Sequence, residues 1–417
     1  MTTRRRLAAA GLGCALFVVA CALPRVGLFR GHLGTSLFQS YGDRTLAGEV
    51  PYRDFSLEYP PGALPAFVVP SLGPAGDYDT WFMAFEALCG CSSAALVGLV
   101  ARMRAAAYCA LAPLALGPLV LHRYDLWATF LAVSGFAGLL AGRQRSAFAA
   151  LGAGTAAKVF PVVLVPLALL HVGRRAARRC VVWFVGTASL IVAPFLVLGP
   201  GGIRFSVERQ LGRALQLETV YSSALLALHS AGAYAPRVRF GHGSWNLSGG
   251  LPDTLVVLST ALQLGAVCGV WILYARGPRT RNRLVLAAAA AVAAWIAFGR
   301  VLSPQFLLWL VPLVALAFAW RHALLLLAAL ALTQAVYPSR YDELVDLRTT
   351  PILLLVARNV VLLALLASLV LDLQRQRVLE EVGGNGERGD AGEPVLLDRG
   401  ERDRPDGVPR LQPRRRE

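Results

Sequence analysis

Long apolar runs constrain this chain more than any other feature. They recur from the amino terminus to about residue 372, and most approach the roughly 20 residues that a helix needs to cross a bilayer core of about 30 Å. Because lipid cannot satisfy backbone hydrogen bonds, each run predicts a helix. Only 16% of the residues are charged, against about 25% in an average soluble domain. The sequence therefore predicts an all-α, polytopic membrane protein with about eleven or twelve membrane helical segments.

The arginines lie in short clusters between the apolar runs, so the net charge of +16 indicates membrane topology rather than nucleic-acid binding. With the amino terminus inside, the predicted spans are residues 7–24, 80–100, 105–121, 125–141, 180–198, 253–275, 284–299, 304–319, 323–337 and 351–372. This topology puts the clusters inside and two long loops, 25–61 and 199–252, outside. Residues 1–372 form the predicted membrane domain, and the charged segment 373–417 is predicted to be a disordered cytoplasmic tail.

Residues 147–171 lie between two arginine clusters and are too few for two full crossings, which predicts a short hairpin that does not span the membrane. Lys158, the only lysine of the chain, lies at its expected tip. A buried cation in a membrane is costly, so Lys158 is a candidate ligand for an anion. The alternative is a lysine that extends its amine to the outer surface.

The first external loop combines carboxylates with aromatic residues and prolines in VPYRDFSLEYPPGALP. A carboxylate here could accept a proton from a bound hydroxyl group, or the loop could simply be solvated beside an aromatic belt. The candidate bases are Asp43, Asp54 and Glu58, with Asp125 of the HRYD motif as a further acid. Tyr52, Arg53 and Tyr59 are candidate acceptor contacts in the same loop.

Further cations lie near the predicted outer ends of the helices. Arg123 belongs to HRYD, where it could also form a local ion pair with Asp125, and Arg300 precedes Ser303 and Pro304. In the second loop, the spacing of Arg209, Arg213 and Gln216 predicts one helix face, either a phosphate or sugar site or an amphipathic helix at the membrane interface. Glu218 follows in the same stretch.

The cysteines and histidines indicate neither a disulfide framework nor a metal site. All seven cysteines lie within apolar runs, and Cys89 and Cys91 have no second pair to complete a metal site. The six histidines are scattered, with no HExxH motif. We therefore expect no metal and no cofactor.

Five stretches, in order, resemble family 87 of the GT-C membrane glycosyltransferases: VPYRDFSLEYPPGALP, HRYD, AAKVFP, RALQLETVYSSALL and RVLSPQFLLWLVP. These are polyprenol-phosphate-mannose-dependent α-1,2-mannosyltransferases of actinobacteria. The resemblance covers about residues 7–372. It implies inverting transfer of a sugar, mannose in this family, from a polyprenyl phosphate donor to a lipid or cell-envelope glycan. The reaction would take place at the extracytoplasmic face of the plasma membrane, with no nucleic acid as partner.

In such a reaction a carboxylate would take the acceptor proton, and cations would stabilise charge on the departing phosphate. The cations proposed for the donor phosphate are Lys158, Arg300, Arg213 and Arg123, and the candidate acceptor contacts include Gln216 and Glu218. The family carries an aspartate near the start of the first loop, whereas the corresponding residues 34–38 read GTSLF. Two alternatives therefore stay open, a transporter or flippase of lipid-linked sugars and a catalytically inactive membrane scaffold.

Overall fold

The computed structural model describes residues 2–22, 33–74 and 76–389, with side chains as far as residue 376. This part of the chain is almost entirely helical. Its α-helices are α1 (Thr3–Ala22), α2 (Ser36–Leu46), α3 (Leu64–Ser71), α4 (Tyr78–Val100), α5 (Met103–Leu111), α6 (Asp125–Leu140), α7 (Gln144–Ala157), α8 (Val165–Val172), α9 (Arg174–Leu198), α10 (Pro200–Leu211), α11 (Val220–Ser230), α12 (Gly250–Ala275), α13 (Arg281–Ala297), α14 (Leu310–Leu316), α15 (Trp320–Val336), α16 (Tyr341–Val345) and α17 (Thr349–Gly389). Short 3-10 helices cover Pro61–Ala63, Ala112–Val120, Phe160–Leu164 and Pro304–Trp309.

The predicted all-α, polytopic membrane fold is confirmed. Within the described residues, six helical segments are long and apolar enough to cross a membrane, and four shorter apolar segments accompany them. Every predicted span coincides with a helical segment, although the spans predicted at 105–121 and 304–319 each combine an α-helix with a 3-10 helix. Pro113 explains the first combination, because it has no N–H group with which to continue the hydrogen bonds of α5, and Pro304 begins the second 3-10 helix.

The centre of the bundle is α13, whose residues from Arg283 to Ala294 are all buried. Most of its core positions are alanines, and small side chains allow helices to approach closely where lipid provides no hydrophobic driving force. In contrast, no residue in the apolar window of α9 is buried inside the protein. The apolar surface of α9 therefore faces lipid.

The predicted short hairpin is formed by α7 and by residues 160–172. With 14 residues, α7 is only about 21 Å long at about 1.5 Å per residue, less than a bilayer core of about 30 Å. It packs between α6 and α9, where Gly152 lies directly against the backbone of Phe184. Lys158 ends α7 in an extended conformation (φ −157°, ψ 137°), and Pro161 starts the returning arm. The structure thus has Lys158 at the turn between the two arms.

The two predicted external loops meet at one end of the bundle, which we call the loop end. Gly199 and Gly202 lie against the backbone of Tyr52, where a Cβ atom on Gly202 would be 2.0 Å from the Tyr52 carbonyl oxygen. Tyr52 itself has a positive φ of 68°, an uncommon conformation for a bulky residue. At the opposite end, the Arg281 guanidinium donates to the Val100 carbonyl.

The second loop contains a small antiparallel sheet in the order β1 (Leu215–Gln216), β3 (Ser244–Ser248), β2 (Arg237–Gly241). The prediction that Arg209, Arg213 and Gln216 share one helix face is wrong. The helix ends at Leu211, before Gly212, and Gln216 pairs with Asn246 in the sheet. The backbone of this segment satisfies its hydrogen bonds with a strand, which helical spacing could not reveal.

The chain consists of two compact units, Met1–Arg377 and Val378–Glu417. Of the second unit, the structure describes only residues 378–389, which form the end of α17. This helix therefore continues past residue 373, where the tail was predicted to begin. Leu, Gln, Arg and Glu between residues 373 and 381 are good helix formers, which explains the continuation over that part. Residues 390–417 of the predicted tail and residues 25–32 of the first predicted loop lie outside the described part.

Candidate functional site

A buried ion pair marks the loop end of the bundle. Lys158 Nζ lies 2.6 Å from Asp125 Oδ1, with side-chain exposures of 14% and 1%. The same carboxylate oxygen accepts a hydrogen bond from the indole nitrogen of Trp309 at 2.8 Å. The fold therefore brings together an acid and a cation that the sequence had indicated in separate motifs.

The position of Asp125 is set by a second buried acid, Glu86 of α4. Glu86 Oε2 accepts the backbone N–H groups of Leu126 at 2.9 Å and of Trp127 at 3.3 Å, in the first turn of α6. A carboxyl oxygen at this point satisfies backbone donors that a helix start leaves free. Sequence reasoning missed Glu86, although a glutamate inside an apolar run is itself a signal of function.

Aromatic rings surround the Lys158 amine. Its Nζ lies 4.3 Å from the ring centroid of Tyr124, 5.4 Å from that of Trp309 and 5.5 Å from that of Phe306. Phe160 stacks on Trp309 with centroids 4.2 Å apart. Such rings stabilise a cation in a desolvated site. Lys158 is thus held in place by one carboxylate and three rings.

Glu58 connects the first loop to α10. Glu58 Oε1 lies 2.6 Å from Arg209 Nε, and both side chains are partly exposed. The Glu58 carbonyl oxygen also accepts hydrogen bonds from Ser206 and Gln210 of α10. The carboxylate therefore stands in the contact between the two external loops, with access to solvent.

Tyr59 lies among the charged groups of the site. Its ring packs edge-on against Tyr124 at 5.0 Å, and the Tyr52 hydroxyl donates to its carbonyl oxygen. Burial raises the pKa of Tyr59, the negative charge of Glu58 raises it further, and Arg123 opposes the shift. Asp125 also raises this pKa. The Tyr59 phenol thus lies within electrostatic range of charges from three parts of the chain.

Asp54 and Arg53 form a separate, exposed pair. Their side chains lie 2.8 Å apart, and the Val50 N–H also donates to Asp54. The hydrogen bond from Arg53, followed by that from Val50, lowers the pKa of Asp54 to about 2. Asp54 is therefore fully ionised and stabilised as an ion at neutral pH.

Asp43 lies exposed on α2. Its neighbour Arg44 pairs with Glu49 and lies 4.5 Å from the Phe55 ring centroid, so Arg44 does not neutralise Asp43. Directly before α2, the stretch without a carboxylate contacts an acid from another helix. The buried Thr35 hydroxyl donates to Asp79 at the start of α4, a neighbour that sequence reasoning missed.

The predicted arginines of the site differ in how they are held. Arg123 donates to the His122 carbonyl at 2.7 Å and Arg213 donates to the Ser244 hydroxyl at 3.1 Å. Burial lowers the pKa of Arg213, while the interactions with the Tyr59 phenol and the Glu58 carboxylate oppose the shift. The Arg300 guanidinium has no hydrogen-bond partner among the described residues, so it is available to a ligand.

Gln216 and Glu218 are buried, and each forms hydrogen bonds with a distant part of the chain. Gln216 N–H donates to the Arg300 carbonyl at 3.0 Å, and Gln216 Oε1 accepts the Leu302 N–H at 3.1 Å. The Glu218 carbonyl oxygen accepts a hydrogen bond from Arg358 at 2.7 Å. Burial raises the pKa of Glu218 to about 7, while Arg358 opposes the shift.

The structure gathers one set of predicted residues around Tyr59 and leaves another at the surface. The gathered side chains are Glu58, Tyr59, Arg123, Asp125, Lys158 and Arg213, together with Arg209. Asp43, Arg53 and Asp54 are exposed. Among the described residues, no three His, Cys, Asp or Glu side chains come together in a way that could hold a metal ion.

Comparisons with known proteins place the chain in a family. No curated protein matches it by sequence. Among solved structures it is similar to ArnT from Cupriavidus metallidurans bound to undecaprenyl phosphate, with 16% identity, a TM-score of 0.48, and coverage of 92% of this chain and 81% of ArnT. The family model of glycosyltransferase family 87 matches residues 57–304. This chain therefore belongs to glycosyltransferase family 87 and is a multi-pass membrane glycosyltransferase.

Proposed function

We propose that the chain transfers mannose from a polyprenyl phosphate donor to a lipid or cell-envelope glycan acceptor at the extracytoplasmic face of the plasma membrane. The observation that carries the proposal is the buried Lys158–Asp125 pair, whose lysine lies over Tyr124 beside Tyr59 of the first external loop. A single lysine held at membrane depth beside further cations suits an anionic group attached to a lipid chain.

Lys158 contacts the donor phosphate in this proposal. An ammonium group has three donors, and Asp125 occupies one of them. The others can point to phosphate oxygens while Asp125 and the aromatic rings fix the amine. Arg123, Arg213 and Arg300 supply planar guanidinium groups, which bind phosphate through two hydrogen bonds where lysine acts as a point charge.

Glu58 is the base in this proposal. It accepts the proton of the acceptor hydroxyl as the acceptor oxygen forms a bond to the sugar C1 atom. The bond between C1 and the phosphate oxygen breaks, and its electron pair leaves with the polyprenyl phosphate, whose charge the cations stabilise. Glu58 is favoured over the other candidates because it is partly exposed and lies in the gathered set.

The other predicted acids fit other roles. The ion pair with Arg53 stabilises Asp54 as an ion with a pKa of about 2, which makes it a weak proton acceptor. Asp125 is buried and occupied by Lys158 and Trp309. Asp43 is exposed on α2 and remains the second candidate base. Arg53 and Tyr59 remain the candidate acceptor contacts, whereas Tyr52 is buried and its hydroxyl donates to the Tyr59 carbonyl.

Transfer can be tested with membranes that contain the chain and with membranes that lack it. Radiolabelled polyprenyl phosphate mannose should pass label to a lipid or glycan fraction, whereas radiolabelled nucleotide mannose should not when donor synthesis is blocked. Transfer by purified protein in detergent would exclude a flippase, because no two compartments remain. No labelled product from any acceptor fraction would favour an inactive scaffold and contradict the proposal.

Orientation can be tested with single cysteines in a chain whose seven native cysteines have been replaced. Ser56 in the first loop and Ser146 after the Arg143 cluster are both exposed and form a matched pair. An impermeant thiol reagent should label Ser56→Cys in intact cells and Ser146→Cys only after lysis. The reverse pattern would contradict an extracytoplasmic site.

A further inference from the structure

The last membrane helix carries a buried arginine for which the transfer chemistry has no direct use. Arg358 of α17 is 2% exposed and its neighbour Asn359 is 1% exposed. Both lie outside residues 57–304, which the family model matches. An ionisable side chain inside a membrane helix is costly to bury, so its contacts indicate why it is there.

Both side chains bind the backbone of the second external loop at one point. Arg358 Nη2 donates to the Glu218 carbonyl at 2.7 Å. Asn359 Nδ2 donates to the same carbonyl at 3.3 Å and to that of Thr219 at 3.2 Å. Because these are main-chain carbonyls, the contacts fix the path of the chain between β1 and α11.

The segment fixed by these contacts also includes Gln216, which contacts the backbone at Arg300. Gln216, two residues before Glu218, is 3% exposed and forms hydrogen bonds with the backbone of Arg300 and of Leu302. Its N–H donates to the Arg300 carbonyl at 3.0 Å, and its Oε1 accepts the Leu302 N–H at 3.1 Å. Since the described residues give the Arg300 guanidinium no hydrogen-bond partner, these backbone contacts determine where the guanidinium can reach.

We propose that Arg358 and Asn359 are positioning residues that act through Gln216 on Arg300, so that the last membrane helix sets the affinity for the donor phosphate. The proposal rests on the proposed function, in which Arg300 contacts that phosphate. It assigns Gln216 and Glu218 to the support of Arg300 rather than to acceptor binding.

A double-mutant cycle on binding tests the inference without requiring transfer. Purified full-length variants in detergent are titrated with radiolabelled polyprenyl phosphate. Gln216→Leu, which removes the acceptor of the Leu302 N–H, should raise Kd about tenfold, the effect of about one hydrogen bond. Arg300→Gln should raise Kd by about tenfold or more. The double variant should bind no more weakly than Arg300→Gln, because Gln216 acts only through Arg300.

The same reasoning extends to α17. Arg358→Met and Asn359→Leu should each raise Kd in the parent and have no further effect in the Arg300→Gln background, and Arg358→Lys should restore part of the affinity. Ser248→Ala is the control in the sheet, since the Ser248 hydroxyl of β3 donates to the Arg237 carbonyl and forms no hydrogen bond with residues 300–302. Arg348→Gln is the control beside α17, because Arg348 directly precedes the helix and is exposed.

The outcomes separate the two proposals. Loss of affinity in Arg300→Gln together with parental affinity in Gln216→Leu and in Asn359→Leu would overturn this inference alone. Additive losses in the double variant would also overturn it, because Gln216 would then act elsewhere. Parental affinity in Arg300→Gln would overturn both the inference and the role of Arg300 in the proposed function.

Discussion

Two ion pairs at the loop end have nearly the same distance between their charged atoms, but one pair is buried and the other is exposed. Lys158 and Asp125 lie 2.6 Å apart with 14% and 1% exposure, and Arg53 and Asp54 lie 2.8 Å apart with 51% and 33% exposure. The first pair joins the hairpin to the start of α6, whereas the second joins neighbours in sequence. Exposed pairs contribute about 0–1 kcal/mol, while breaking a buried pair costs about 3–5 kcal/mol. The energetic difference between the pairs therefore comes from burial rather than distance.

The largest expected effect comes from breaking the buried pair. Lys158→Gln leaves Asp125 as an unpaired buried charge, so we expect a loss of about 3–5 kcal/mol in stability and at least about a hundredfold loss in transfer. Thermal unfolding in detergent and transfer at limiting donor concentration measure the two effects.

The double variant Lys158→Gln with Asp125→Asn separates folding from chemistry. It removes both charges and should recover most of the stability while transfer stays low, because the cation for the phosphate is still absent. Recovery of transfer together with stability would show that the pair is only structural.

Glu58→Gln should lower the rate of transfer about a hundredfold with little change in donor affinity, because the amide cannot accept the acceptor proton. Glu49→Gln is the matched control, since Glu49 is a partly exposed loop glutamate that pairs with Arg44. Steady-state rates at saturating donor measure the effect. If Glu58→Gln transfers at the parental rate and Asp43→Asn does not, the base is Asp43.

The third prediction concerns Glu218, a buried acid whose pKa lies near neutral pH. Burial raises the pKa of Glu218 from 4.5 to about 7, so the folded protein binds a proton there that the unfolded chain releases near pH 4.5. Stability from this group is therefore present below about pH 4.5 and is lost as the pH rises through about 7. Melting temperature should fall between pH 5 and 8, and Glu218→Gln should flatten that fall. An unchanged slope in the variant would assign the titration to another group.

The smallest effect is expected for the exposed pair. Asp54→Asn and Arg53→Gln should each leave the melting temperature close to that of the parent, since solvent screens the pair. Asp54→Asn should also leave the transfer rate within about twofold of the parent, because a carboxyl group with a pKa of about 2 is a weak base. A hundredfold loss in Asp54→Asn would make Asp54 the catalytic base.

The membrane helices could be predicted because apolar length is a local property of the sequence. Lys158 was indicated by its burial cost, and Asp125 by its motif, but their pairing could not be predicted across 33 positions. Glu86 and Arg358 carried the same signal as Lys158, an ionisable residue inside an apolar run, yet each has backbone partners that only the fold defines. The β1 segment was misread because a two-residue strand leaves almost no periodic pattern.

The close contact of Gly199 and Gly202 with Tyr52 has a consequence for how acceptor choice can change. A larger side chain at either glycine would separate the two external loops, and with them Glu58 from Arg209. Neither loop can then be replaced by the loop of a relative without its counterpart. The unit to exchange between enzymes of this family is the pair of loops together, transplanted with both glycines and with Tyr52 in its left-handed conformation.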